Sequence, residues 1–122
     1  MNAYCVSFLD RMACLWLGVA KARKETERYW TPEEPPLTEA FSEVGHRIVD
    51  DMALFDSDTK RSIMELIEEG MESLDEPLGT AVATGLIEGM IGRAAHVDGK
   101  LNELLSDFGP LSRAHATAWI EF

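Results

Sequence analysis

The chain has 122 residues and a formal net charge of −11, from 11 Lys and Arg against 22 Asp and Glu. With 46% hydrophobic and 27% charged residues it has the balance of one globular domain, spanning 1–122, and a chain of this size buries roughly two-thirds of its unfolded surface. So large an acidic excess opposes binding to DNA, RNA or an anionic membrane face, and two cysteines exclude a disulfide scaffold.

The period of the apolar residues is helical nearly throughout, and no alternating strand pattern is present. The first predicted helix runs from about Ala3 to Arg28, with Phe8, Met12, Leu15, Val19 and Ala22 on one stripe. Its longest uncharged stretch, Met12–Ala20, is nine residues, against the ~20 a membrane-spanning helix needs. Met1–Asp10 holds no basic residue, so the start does not read as a secretory leader, and a cytoplasmic setting is expected. Cys5 and Cys14 fall on this helix, about 13 Å apart by helical rise, and are expected to be buried free thiols.

Pro32, Pro35 and Pro36 mark 31–37 as a linker. The second helix is expected to start at Thr38 as its N-cap, with Phe41, Val44, Gly45, Ile48, Met52 and Phe55 inward. Asp56-Ser57-Asp58 breaks the chain and caps a third helix, whose core stripe is Ile63, Leu66, Ile67, Met71 and Leu74. Asp75-Glu76-Pro77 opens a fourth, running to about Ala95. Its row Leu78, Val82, Leu86 and Met90 lies beside the small residues Ala81, Gly85, Gly89 and Gly92. Glycines inside a helix each cost about 1 kcal/mol relative to alanine, so this helix is expected to sit centrally, with another helix approaching closely. A short fifth helix spans about Asp98 to Asp107, and the last, after Gly109-Pro110, is expected to turn Ala114, Ala118, Trp119 and Phe122 inward. The fold class is all-α: a compact bundle or short solenoid-like array of about six helices, with an αα-hairpin at 57–95.

Charge is distributed unevenly. Residues 1–30 carry a net of +2, residues 31–76 a net of −11 and residues 77–122 a net of −2. Glu65, Glu68, Glu69, Glu72 and Glu76 recur at three- and four-residue spacing, so they share a side of the third helix and repel one another. Such a side is either a solvated face or a docking face for a basic partner. The docking reading assigns partner binding to Glu65, Glu68, Glu69, Glu72, Asp75 and Glu76, with Asp50, Asp51, Asp56 and Asp58 as an adjacent patch.

Catalytic and metal patterns are missing. His46, His96 and His115 stand apart, and no His-Glu-x-x-His, Cys-x-x-Cys, EF-hand or phosphate-loop spacing occurs. Glu88 is a carboxylate on an otherwise small and apolar helix, expected to pair with Arg93 or Arg113 or to face solvent. A single carboxylate without a partner group does not make a reaction site. The expectation is therefore no enzyme, no metal, no cofactor and no small-molecule substrate.

Several segments resemble a known group. They are Pro35-Pro36-Leu37-Thr38 leading into Phe41, Val44 and Ile48; Ile67-Glu68-Glu69-Gly70 followed by Asp75-Glu76; Ala81-Val82-Ala83-Thr84-Gly85-Leu86-Ile87-Glu88-Gly89; and Phe108-Gly109-Pro110-Leu111-Ser112-Arg113. Together they resemble small all-helical bacterial proteins, some found beside toxin genes as immunity proteins of contact-dependent inhibition or other polymorphic toxin systems. The resemblance spans about residues 33–122 and carries no catalytic group. It implies an immunity protein that neutralises a cognate toxin domain. A basic nuclease, whose cleft must hold phosphates, suits the acidic face. The alternative is a helical interaction or oligomerisation module, using the small-residue face of the fourth helix or the apolar first helix.

Overall fold

The computed structural model describes residues 1–121 and is all-α. Helix α1 (Ala3–Leu15) is capped by Asn2, whose side chain accepts the Cys5 N–H at 2.9 Å. It buries Cys5, Phe8, Leu9 and Met12. The expected single helix to Arg28 is broken: Trp16 is extended (φ −148°, ψ 122°), and α2 (Leu17–Trp30) begins after it. Trp16 leaves the helical path to set its ring edge against Phe55, with centroids 4.8 Å apart, and to donate its indole N–H to Asp51 Oδ2 at 2.8 Å. Cys5 is buried as expected, but Cys14 is exposed, because it lies on the outer side of α1.

Helix α3 (Leu37–Asp51) starts one residue before Thr38, with Pro36 at its N-cap and no side-chain cap, which corrects the expected Thr38 cap. Pro35 is held out of the helical region by the proline after it, Pro36 is itself extended (φ −56°, ψ 141°), and Leu37 is the first helical residue. A single 3₁₀ turn (Met52–Leu54) leads to α4 (Ser57–Glu72), where Asp56 accepts the Thr59 N–H at 2.7 Å. Ile63, Leu66 and Ile67 are buried, but Leu74 is fully exposed. The helix ends at Glu72 and Ser73 is extended, so the apolar period runs past the structure that it implies.

Helix α5 (Glu76–Thr80) is capped by Asp75, which accepts the Leu78 N–H at 3.1 Å. The path stays helical through a π-helical stretch (Ala81–Ile87) and α6 (Glu88–Ala94). This composite helix turns back after α4, and it is central as expected. Its closest seam is with α3. A Cβ on Gly85 would stand 2.8 Å from Phe41 Cβ and 2.9 Å from the Thr38 carbonyl oxygen, and one on Gly45 would stand 2.6 Å from the Leu86 carbonyl oxygen. Gly92 meets nothing and lies outside the seam.

Helix α7 (Lys100–Asp107) follows Gly99, whose φ of 78° suits a residue without a side chain. Helix α8 (Pro110–Glu121) closes the fold. The expectation that it turns Ala114, Ala118 and Trp119 inward is corrected: Ala114 and Ala118 are exposed, Trp119 is 50% exposed, and Ser112 and Ala116 are the buried residues. Phe122 lies outside the described residues. Helices distant in sequence pack together, α1 with α4 and α4 with α8, around one connected apolar core. That makes a bundle rather than a repeat array, in which each unit would touch only its neighbours. No described helix is long and apolar enough to cross a membrane.

Candidate protein-binding surface on the acidic helix

Helix α4 packs between α1 and α8, so its carboxylates point to three different surroundings. Glu68 faces α8. Its Oε1 accepts the Ser112 N–H at 2.9 Å and the Ser112 hydroxyl at 2.8 Å, and its Oε2 accepts the Leu111 N–H at 2.7 Å. These are the free N–H groups of the first turn of α8, whose first residue, Pro110, has none to offer. Burial pushes the Glu68 carboxyl up, but the donors of Ser112 and Leu111 together outweigh it and hold it below the ordinary glutamate value.

Glu69 faces α1 and forms a two-pronged pair with Arg11, at 2.8 and 2.9 Å. The hydrogen bond from Arg11 lowers the Glu69 carboxyl and raises the guanidinium. Glu65, Glu72 and Glu76 are exposed, and none has an ion-pair partner among the described residues. Asp75 is held as the α5 cap and also accepts the Asn2 side-chain amide at 3.0 Å.

The adjacent patch is divided in the same way. Asp50 pairs with Arg93 of α6 at 2.9 and 2.8 Å, which lowers its carboxyl. Asp51 accepts from Trp16 and from Arg47. Burial raises it, and the two donors more than reverse this. Asp56 caps α4, its carboxyl lowered by the Thr59 backbone N–H, and Asp58 pairs with Arg61 one turn on. The ten carboxylates singled out in the sequence therefore do not form one open face. Glu65, Glu72 and Glu76 remain open on α4 and the start of α5, with the Arg11–Glu69 pair beside them.

Two neighbours of this strip were not visible in the charge pattern. A groove of about 370 Å³ runs between α1 and α4, lined by Tyr4, Arg11, Glu69 and Glu72. Tyr4 is exposed there, and Leu74 is fully exposed two residues beyond Glu72. Leu74 belongs to the apolar stripe of the third predicted helix by spacing, and only the end of α4 at Glu72 leaves it outside.

Glu88 pairs with neither Arg93 nor Arg113; His115 Nε2 lies 2.9 Å from its Oε2, joining α6 to α8. Arg93 is engaged by Asp50, and Arg113 donates to the carbonyl oxygens of Leu105, Ser106 and Phe108. Among the described residues no three His, Cys, Asp or Glu side chains are placed to hold a metal ion. The small-residue face of the central helix is covered by α3 at Gly85 and Gly89, while Gly92 stays outside the contact, and the apolar stripe of α1 lies in the core. Comparison with family models, with curated proteins and with solved structures finds no match to this chain.

Proposed function

We propose that this chain is an immunity protein that binds a cognate basic toxin domain, a nuclease being the best fit, and neutralises it. The observation that carries the reading is the strip of exposed carboxylates, Glu65, Glu72 and Glu76, which have no ion-pair partner among the described residues, beside the exposed Tyr4 and Leu74. Clustered like charge speeds encounter with a positive surface. An aromatic and an aliphatic side chain beside that charge supply the desolvated anchors on which interface affinity rests. A nuclease cleft is positive because it holds a phosphate backbone, so an acidic strip can occupy it in place of substrate. The resemblance to immunity proteins agrees with this reading, and most of the two contact faces of the oligomerisation alternative, Gly85 and Gly89 of the central helix and the stripe of α1, is packed inside the bundle.

The test is to read the genes beside this one and, where one encodes a large secreted protein, to co-express that protein's C-terminal domain with this chain, then to follow co-purification and the domain's turnover. A stable complex and suppressed turnover are expected. A toxin domain that neither co-purifies nor loses activity removes the reading.

A further inference from the structure

The outer side of α1, opposite its buried stripe, lies between two helices of opposite charge. On α2, Leu17, Lys21, Lys24 and Arg28 recur at three- and four-residue spacing and are all exposed, while Gly18, Val19, Ala22 and Thr26 take the buried side. Lys21, Lys24 and Arg28 have no ion-pair partner among the described residues, whereas Arg23 is held by Asp10 of α1 at 2.8 Å. Glu25 and Glu27 flank this stripe and line the grooves against α3 and α1. On the other side of α1, Glu65 and Glu72 of α4 are exposed and unpaired, and Glu69 is taken by Arg11. Between the two lie the exposed Ala3, Ser7, Asp10 and Cys14 of α1. The charges on this side of α1, Asp10 and Arg11, are already matched by Arg23 and Glu69.

Both neighbours run antiparallel to α1. Asp10 meets Arg23 across the break at Trp16, so α2 folds back along α1. Tyr4 shares a groove with Glu72, and Cys14 shares one with Glu65, so α4 runs the same way as α2. Asp10 and Arg11 are adjacent, which sets Arg23 and Glu69 near one level. Counted from there by helical rise, Lys21 falls between the levels of Glu65 and Glu69, and Lys24 and Arg28 fall on either side of Glu72.

The cations of α2 and the carboxylates of α4 cannot meet within one chain, because α1 separates them. We propose that two copies of this chain pair through the outer side of α1, with the basic stripe of each α2 against the acidic strip of the other copy's α4. A two-fold axis running along α1 brings these stripes together twice, at matching levels. An axis across α1 would set α2 on α2 and α4 on α4, like charge on like. Two-fold pairs are the commonest closed assemblies, and charge complementarity selects the axis. Ala3, Ser7 and Cys14 are small enough for the two α1 helices to approach closely. The pairing does not rest on the toxin reading. It covers Glu65 and Glu72, so a second copy and a basic partner are alternative occupants of the α4 strip.

The test is sedimentation equilibrium of the full chain alone over a range of concentrations, where a monomer–dimer equilibrium is expected. Lys21→Glu with Lys24→Glu, and separately Glu65→Lys with Glu72→Lys, are each expected to weaken self-association at least about tenfold. Mixing these two variants is expected to restore a one-to-one dimer, since both contacts are again of opposite sign. Both variants keep a net negative charge, so overall attraction does not account for that rescue. A short bis-maleimide is expected to join Cys14 to Cys14 in the parent dimer, because this exposed thiol lies over the axis and Cys5 is buried. A parent chain that stays monomeric throughout, or variants that associate no differently alone and gain nothing on mixing, overturn the proposal. A parent dimer without the Cys14 crosslink overturns the axis along α1.

Discussion

The Glu68 carboxylate of α4 caps α8 from outside: its Oε1 lies 2.9 Å from the Ser112 amide nitrogen and 2.8 Å from the Ser112 hydroxyl. An N-cap usually comes from the residue before the helix. Here that residue is Gly109, which has no side chain to cap with, and a Cβ on it would stand 2.7 Å from Glu68 Cδ. The glycine thus admits the tertiary cap that replaces its own. Glu68→Ala is expected to destabilise the fold by about 2 kcal/mol, read from the midpoint of urea unfolding.

The same contact sets an acid dependence. The folded carboxyl of Glu68 is lowered from 4.5, so between the two values the unfolded chain binds more protons than the folded one. Its contribution is complete above pH 4.5 and is lost as pH falls through the lower folded value. Urea midpoints measured down this range should fall less steeply for Glu68→Ala than for the parent chain.

Charge reversal on α4 should have two opposite outcomes within one turn of helix. Glu65→Lys with Glu72→Lys changes exposed, unpaired positions and should leave stability within about 0.5 kcal/mol; under the proposed function it should also slow association with the basic toxin domain and weaken its salt dependence. Glu68→Lys places a cation against the positive end of the α8 dipole and should lower the unfolding midpoint more than Glu68→Ala does. Unchanged association in the Glu65/Glu72 variant removes this strip from the interface.

The glycines of the central helix give a stability test of the seam. Gly85→Ala places a Cβ 2.8 Å from Phe41 Cβ and 2.9 Å from the Thr38 carbonyl oxygen, and should cost about 2 kcal/mol. Gly92→Ala meets nothing within 4 Å and should stabilise by about 0.5–1 kcal/mol through helix propensity. Thermal unfolding of the two variants should shift in opposite directions.

Trp16→Phe keeps a ring against Phe55 but removes the donor to Asp51, which retains Arg47. A loss of about 1 kcal/mol is expected by urea unfolding.

Much of the helical plan could be read from spacing. The caps Asp56 and Asp75, the inward row Leu78, Val82, Leu86 and Met90, and the close approach at Gly85 and Gly89 follow from local residue chemistry. The errors share a physical origin. Trp16 stands in an unbroken apolar period, and only a tertiary hydrogen bond to Asp51 shows why the helix ends there. The inward face of α8 depends on Glu68, 44 positions earlier than Ser112, so no window along α8 could place Ser112 and Ala116 inside. At the candidate surface, spacing identified the carboxylates that share a helix. It could not tell which of them had cations or amides waiting on a neighbouring helix, as Glu69 and Glu68 do.

That division along α4 bears on how the protein can diversify. The clamps at Glu68 and Glu69 tie the helix to α8 and α1, whereas Glu65 and Glu72 have no ion-pair partner among the described residues. The open positions can therefore be rewritten one substitution at a time without disturbing the scaffold beneath them.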